Sequence, residues 1–302
     1  MYFNVPIIIV FCTLYHVTIG KQRDFGFFWK RLKSWYFPGI VVQYVLIAIW
    51  KGVFVTKKKC EGISSFGLHV LAMALMLCDH LWATLFPAQE WLTCIGRVAF
   101  PIFAFLIVEG YFHTSDLKKY MGRMLIFALL SEVPFNLLYG SSVIYPLHQN
   151  VLWTFLIALL SIAIIEKVKG KKKWWLTGLV GFLVVVFDLA LGTLAMVDYF
   201  GPGVLTVMVF YFFRGRKWWC FPGQFACLYY INMEILGGYY YPVQIGGFEL
   251  DIVQQGFALL ALIPIWLYRG RQGYHSKAFQ YVCYGFYPVH LLLLYLIWQL
   301  FL

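Results

Sequence analysis

The sequence predicts an all-α protein, a polytopic transmembrane helical bundle of about 9–11 membrane helices. Of its 302 residues, 62% are hydrophobic and 12% are charged, whereas a soluble domain usually carries about 25% charged residues. From residue 64 onward, apolar runs long enough to span a bilayer follow one another, separated by short loops. Such a run needs about 20 residues as a helix. Helices are the expected spanning form because they satisfy their own backbone polar groups.

The loops between these runs alternate in charge. The apolar runs cover roughly 64–86, 94–112, 120–139, 150–166, 174–192, 199–213, 218–236, 251–268 and 279–301. Every second connecting loop carries Lys or Arg, and the loops between those carry none. Because cytoplasmic loops are enriched in Lys and Arg, we predict nine crossings with the basic loops inside and the C-terminus outside.

The net charge of +11 follows from this topology, so nucleic acid is not a predicted partner. Anionic lipid or a phosphate-bearing cosubstrate at the inner face stays open as a second explanation of the charge. Seven scattered cysteines without a C-x-x-C pair argue against a disulfide framework or a zinc ribbon.

Residues 1–60 are predicted to form a separate N-terminal extension, and 61–302 the main transmembrane domain. The extension holds one apolar span, 2–19, followed by a segment, 25–55, that we interpret as interfacial or re-entrant. A secretory signal would place positive charge before its apolar core. Here the first basic residue, Lys21, follows the apolar run, so we predict an uncleaved span.

Ionisable residues are concentrated between residues 79 and 114, inside or beside two apolar runs. Each Asp or Arg at the centre of a membrane helix costs roughly 2.5–3.5 kcal/mol, so a group of them indicates an interior site rather than a lipid-facing wall. The predicted catalytic residues include Asp79, His80, Arg97, Glu109, His113 and, from the last apolar run, His290.

Asp79 and His80 are neighbours, so on a helix their side chains point about 100° apart. We predict His80 as a general base, oriented by Asp79 or another carboxylate. The alternative is a pair that only packs helices together. Arg97 could bind a carboxylate or phosphate, stabilise an oxyanion or serve as the counter-ion of Asp79.

Glu109 and His113 are four residues apart and share a helix face. They could form an acid–base pair near the inner mouth or an interfacial hydrogen bond. No third metal ligand is evident, so no metal is expected. His290 lies near mid-depth in the last run, where it could act as an alternative base or relay, or as a core histidine.

Two further groups are candidates for binding. The polar residues at the outer ends of the spans could orient an acceptor or cap loops, and these are Glu132, Asn136, Gln149, Asn150 and Asp198. The inner basic residues could hold the phosphates of a cosubstrate or reflect topology alone, and these are Lys118, Lys119, Arg123 and Arg214. The phosphate-binding glycine motifs and the G-x-S-x-G elbow are lacking, so ATP or dinucleotide use is not indicated.

Several long motifs lie at these residues. They include GRVAFPIFAFLIVEGYFHT (96–114), RMLIFALLSEVPFN (123–136), QNVLWTFL (149–156), VDYFGPGVL (197–205) and FYPVHLLLLYL (286–296). At these motifs the chain resembles the TraX family, membrane acetylases named for N-terminal acetylation of F-type pilin. The resemblance covers about 64–302, so 61–302 is expected to be a TraX-like transmembrane acyltransferase domain.

The resemblance implies an integral membrane acyltransferase in which the four inner basic residues named above would bind coenzyme A, and the ionisable residues within the apolar runs are the candidates for its chemistry. It would move an acetyl or other acyl group from cytosolic acetyl-CoA, its cosubstrate, to an amine or hydroxyl reached from the outer side. The acceptor would be a peptide N-terminus, a glycan or another envelope molecule, and the protein would lie in the lipid bilayer of a bacterial plasma membrane as a multi-pass cell-membrane protein. A small-solute transporter and a non-catalytic envelope assembly factor are the alternatives.

Overall fold

The computed structural model describes residues 62–171, 173–245 and 248–301. The predicted N-terminal extension, residues 1–60, lies outside them. In chain order the elements are α1 (Ser65–Thr84), α2 (Glu90–Gly96), α3 (Ala99–His113), α4 (Leu117–Gly140), α5 (Val151–Lys169), α6 (Trp174–Leu194), α7 (Phe200–Phe212), α8 (Cys220–Tyr229) with a π-helical continuation (Tyr230–Leu236), β1 (Tyr240–Ile245), β2 (Phe248–Val253), a 3-10 helix (Gln254–Ala261), α9 (Leu262–Leu267) and α10 (Lys277–Phe301).

The predicted polytopic helical membrane fold is confirmed. Six helices of the described part are long and apolar enough to cross a membrane: α1, α2 together with α3, α4, α5, α6 and α10. The other three predicted crossings fall on shorter helical segments, namely α7, α8 with its π-helical continuation, and the 3-10 helix with α9.

The centre of the bundle is α3, which packs against α1, α5 and α7. Its residues Ile102 and Ala104 are fully buried. The last helix, α10, packs against α1 and α4. At the periphery, α6 exposes large apolar side chains such as Phe182 and Phe187, as expected of a helix that faces lipid.

Local sequence signals fix where the helices begin and bend. Ser64, Asp116 and Asn150 cap α1, α4 and α5, each accepting a hydrogen bond from a backbone N–H of the first turn. Between α2 and α3 the regular helix is interrupted by a turn at Arg97 and Val98. Pro101 has no N–H to offer the Arg97 carbonyl, which accounts for a break at this point.

The hairpin of β1 and β2 was not predicted. It is antiparallel, with Tyr240 opposite Val253 and Ile245 opposite Phe248. The prediction for this segment was a loop (237–250) followed by the start of an apolar run (251–268). The aromatic and β-branched residues of this segment, alternating with Glu249 and Asp251, favour strands. Runs defined by total hydrophobicity overlook such alternation.

Contacts between loops group the two kinds of loop at opposite ends of the helices. The basic loop after α7 contacts α3 and the end of α9, through Arg214 with Glu109 and through Arg216 with the Tyr268 carbonyl (2.7 Å). Non-basic loops meet elsewhere, where residue 149 bridges to residue 197. We call the end with the basic loops the inner end and the opposite end the outer end, following the positive-inside rule.

Candidate functional site

An ion pair inside the bundle joins α1 to the α2–α3 break. An Arg97 terminal nitrogen lies 2.9 and 3.2 Å from the two Asp79 carboxylate oxygens. Thr93, one turn before Arg97, donates to the Asp79 carboxylate (2.8 Å) and accepts from Arg97 (3.0 Å). Gln254 also donates to the Thr93 hydroxyl, at 3.2 Å. The two charged side chains are only 16% and 18% exposed, so the structure places Arg97 as an ion-pair partner of Asp79, one of the roles left open for it.

Gly96 allows α1 and α2 to approach closely enough for this ion pair. A Cβ at Gly96 would lie 2.5 Å from the Asp79 Cβ and 2.8 Å from its Cα. Contacts of that length with backbone atoms do not occur in folded proteins, so a larger residue must push the two helices apart.

The turn before α7 contributes a third segment to the site, because it places Tyr199 beside Arg97. Tyr199 accepts a hydrogen bond from Arg97 (3.4 Å) and stacks on Phe100, with ring centroids 4.1 Å apart. Tyr199 and Phe200 have φ of 61° and 50°, in the left-handed region that bulky residues avoid. Such backbone costs on the order of 1–3 kcal/mol and is found where a function or tight packing requires it.

A second pair of ionisable residues joins α1 to α10. His80 Nδ1 and His290 Nε2 lie 2.6 Å apart, and the two rings are within 9° of parallel. His290 Nδ1 lies 2.7 Å from the Phe286 carbonyl oxygen. The hydrogen-bond partner of His80 is therefore a histidine, and the prediction of a carboxylate partner is wrong. Asp79 points to a different side of α1, toward Arg97 and Thr93.

Aromatic rings connect the histidine pair to the outer end. Tyr139 and Tyr287 pack against His80, with centroid distances of 6.3 and 6.4 Å. Tyr139 also packs against His148, whose Nε2 lies 3.5 Å from an Asp198 carboxylate oxygen. Both of these outer side chains are about one-third exposed, so this side of the site reaches the surface.

On the inner side, a cavity of about 460 Å³ leads toward the same pair. Its inner rim includes Thr114, Gln272 and His275, and its deep end includes Phe155 and Tyr287. Tyr287 packs directly against both His80 and His290. The cavity therefore extends from the end with the basic loops to Tyr287, and the Tyr287 ring lies between it and the histidine pair.

Glu109 and His113 both line this cavity near its inner rim. Their carboxylate and imidazole are 3.8 Å apart, but His113 Nδ1 is closer to the Glu109 backbone carbonyl oxygen, at 2.8 Å. The Glu109 carboxylate accepts instead from Arg214, at 2.8 Å. Residues 62–171, 173–245 and 248–301 contain no cluster of three His, Cys, Asp or Glu side chains suited to a metal ion.

The outer polar residues divide into buried and surface groups. Glu132 accepts hydrogen bonds from Asn150 and from the Trp153 indole (2.7 Å), and Asn150 is fully buried. Asn136 is also buried and donates to a loop carbonyl. Gln149 is at the surface and donates to the Pro146 carbonyl. These contacts favour loop capping for Glu132 and Asn150, while His148, Gln149 and Asp198 are partly accessible at the outer end.

The inner basic residues also differ from one another. The Lys119 side chain is 77% exposed and pairs with Asp116, and Lys118 is exposed. Arg214 pairs with Glu109 and lies over the Phe112 ring. Arg123 lines the cavity. Among the predicted phosphate-binding residues, Arg123 is the one placed within the bundle's interior space.

Several residues of the site were absent from the sequence-based set, among them Thr93, Gly96, Tyr139, Tyr199, Gln254 and Tyr287. Thr93 is four residues before Arg97, so the shared helix face was a usable signal. Gly96 and Tyr199 make contacts between elements distant in sequence, and only the fold shows them.

Fold and site together define a class: a polytopic helical membrane protein with a polar site in its interior, reached by a cavity from one end. The model of the TraX protein family matches residues 65–298. The chain belongs to the TraX family.

A curated relative extends this assignment. The chain is 26% identical over 244 residues to "Probable fimbrial assembly protein FimC, serogroup H1" of Dichelobacter nodosus, covering 76% of this chain and 94% of the relative. No solved structure matches the chain.

Proposed function

We propose that this protein is an acyltransferase of the bacterial plasma membrane. It takes an acetyl or other acyl group from cytosolic acetyl-CoA and transfers it to an amine or hydroxyl that arrives from the outer side. The acceptor is a peptide N-terminus, a glycan or another envelope molecule.

One observation carries this proposal: the lining of the inner cavity includes Tyr287, whose ring packs against both His80 and His290. A thioester is delivered from the cytosol, so its carrier needs a passage from the inner end to the reacting groups. The volume of the inner cavity, about 460 Å³, falls in the range of small-molecule sites. The Asp198 and His148 side of the site is open toward the outer end, where an acceptor enters.

The hydrogen bonds of the pair assign its protons. A carbonyl oxygen only accepts, so His290 Nδ1 carries a hydrogen and donates to Phe286. In a neutral ring, His290 Nε2 then accepts, and His80 Nδ1 donates to it. His80 Nε2 is left with a lone pair, which is the state that a general base requires.

The reaction then follows in balanced steps. The acceptor's nitrogen or oxygen attacks the thioester carbonyl carbon while His80 Nε2 takes the acceptor's proton. The resulting oxyanion collapses, the carbon–sulfur bond breaks, and the thiolate leaves with the proton from His80 as free thiol. Arg97 and Asp79 support this chemistry indirectly, because their ion pair holds α1, which carries His80, against the α2–α3 break.

The test is turnover of acetyl-CoA by the detergent-purified protein, followed as thiol release with and without envelope extract. We expect extract-dependent release in the wild type and a loss of about 10²- to 10⁴-fold in His80→Gln, the range for removal of a general base. Thr177→Val, which removes a hydroxyl bonded within its own turn of α6, is the control and should retain full rate. Release that persists in His80→Gln contradicts the assigned base.

A second candidate is a non-catalytic role in fimbrial assembly. It is favoured by the printed description of the Dichelobacter nodosus relative as a fimbrial assembly protein. The two candidates differ in what His80→Gln does to surface fimbriae in cells that depend on this protein. Normal fimbriae from a folded His80→Gln protein that releases no thiol would favour assembly without catalysis.

A further inference from the structure

Arg123 is a cation inside the bundle that lacks an expected partner. It lies on α4 and lines the inner cavity. Its Nε is buried and makes no hydrogen bond with any residue that the structure describes. Buried polar atoms are nearly always paired, so an orphan of this kind calls for a ligand or another explanation.

Among the residues that the structure describes, Arg123 contacts an aromatic ring and lines a cavity with two tyrosines, and it forms no ion pair with a carboxylate. The guanidinium lies 5.9 Å from the centroid of the Tyr284 ring, and that ring stacks on Phe127 at 5.0 Å. Tyr120 lines the same cavity as Arg123 and Tyr284. Among the described residues that line the cavity, Glu109 is the single carboxylate, and Arg214 already occupies it.

This set of groups suits a phosphate. A guanidinium forms forked, charge-assisted hydrogen bonds with phosphate oxygens. The phenol O–H groups of Tyr120 and Tyr284, which line the same cavity, are further donors. An arginine without a counter-ion at membrane depth is costly. A bound anion would remove that cost.

The position of Arg123 also fits a carrier whose reactive end reaches the histidines. Arg123 is six residues into α4, which places its backbone about 9 Å from the first residue of that helix. Tyr284 precedes His290 by six residues on α10, again about 9 Å along the axis. A phosphate at Arg123 thus lies closer to the inner end than the histidine pair does. The flexible arm of coenzyme A extends from there toward His80.

We propose that Arg123, together with Tyr120 and Tyr284, binds a phosphate group of the acyl donor inside the cavity. The inference rests on the proposed function for the identity of the donor, while the phosphate site itself rests on the contacts of Arg123. On this view the exposed lysines at the inner end reflect topology, and Arg123 distinguishes a coenzyme A thioester from an uncharged one.

The experiment measures equilibrium binding of coenzyme A and of pantetheine, which has the same thiol arm and no phosphate. The full chain is used in micelles, as wild type, Arg123→Gln and Arg123→Lys. Lys169→Gln, which removes an exposed inner cation paired with Glu166, is the charge-matched control. We expect coenzyme A to bind about 10- to 100-fold more weakly to Arg123→Gln and less weakly to Arg123→Lys, with Lys169→Gln within about twofold of wild type.

Pantetheine separates a phosphate contact from a general disturbance of the cavity. It should bind wild type and Arg123→Gln equally. An equal loss of both ligands in Arg123→Gln, or unchanged coenzyme A binding, overturns the inference. If Arg123→Gln does not fold, Arg123→Lys carries the same comparison, because it keeps the charge and loses the forked geometry.

A third arm, binding of phosphatidylglycerol, distinguishes a lipid headgroup from the donor as the source of phosphate. Arg123-dependent lipid binding without coenzyme A binding supports the phosphate site and contradicts the proposed acyl-CoA function. Binding of neither ligand to the wild type overturns both.

Discussion

Two arginines in apolar helices of this protein have opposite surroundings. Arg97, near the outer end, contacts Asp79, Thr93 and Tyr199. Arg123, in the inner cavity, has a buried Nε without a partner among the described residues. The first is part of a completed network that joins three elements, and the second faces space that a ligand can fill. A buried charge that is paired within the protein is therefore part of the folded framework, whereas one without a partner indicates a binding site.

The largest expected effect on stability is at Arg97. Arg97→Gln leaves Asp79 as an uncompensated buried charge, which costs about 3–5 kcal/mol of unfolding free energy. Unfolding in mixed micelles measures this cost. Arg123→Gln is the matched control and should change stability by less than about 1 kcal/mol, since it breaks no ion pair.

The double variant Asp79→Asn/Arg97→Gln sharpens the comparison. Its destabilisation should be smaller than the sum of the two single changes, because each partner is costly mainly when the other is left alone. Additive effects, or equal losses from Arg97→Gln and Arg123→Gln, would contradict the distinction between the two arginines.

A smaller loss is expected where α1 and α2 meet. Gly96→Ala places a methyl group against the Asp79 backbone and should lower stability by about 1–3 kcal/mol. Gly178→Ala is the control, because a Cβ at Gly178 on α6 meets nothing within 4 Å. That change should leave stability unchanged or raise it slightly, since alanine favours helix. The same unfolding assay serves, and equal stability of the two variants would argue against the close packing of α1 and α2.

The smallest effect belongs to the edge of the network. Gln254 is buried and donates one hydrogen bond to Thr93, at 3.2 Å. Gln254→Leu keeps the volume and should cost about 0.5–1.5 kcal/mol, with coenzyme A binding unchanged. A loss of coenzyme A affinity without a loss of stability would place Gln254 in the ligand cavity and not in the network.

Sequence reasoning predicted the helical membrane fold, because long apolar runs and alternating basic loops have a direct physical cause in the bilayer. It also selected Asp79, His80, Arg97 and His290, since ionisable residues in apolar runs are costly and therefore informative. These four form two pairs in the structure.

The pairing itself could not be predicted. His80 and His290 are 210 residues apart, and single-sequence patterns carry no signal for contacts of that separation. The hairpin was missed because elements were assigned from total hydrophobicity, and most of its alternating residues fell in the gap between two apolar runs. The orphan Nε of Arg123 depends on what is missing around it, which only coordinates show.

The central claim is that the inner cavity delivers an acyl thioester to His80. The most direct measurement is a cryo-electron microscopy structure of the protein with coenzyme A, using an antibody fragment to add mass. We expect ligand density that begins with phosphate at Arg123 and runs along the cavity to a thiol beside Tyr287 and the His80–His290 pair. Density for coenzyme A on the exposed inner loops, with the cavity empty or filled by lipid, would contradict it.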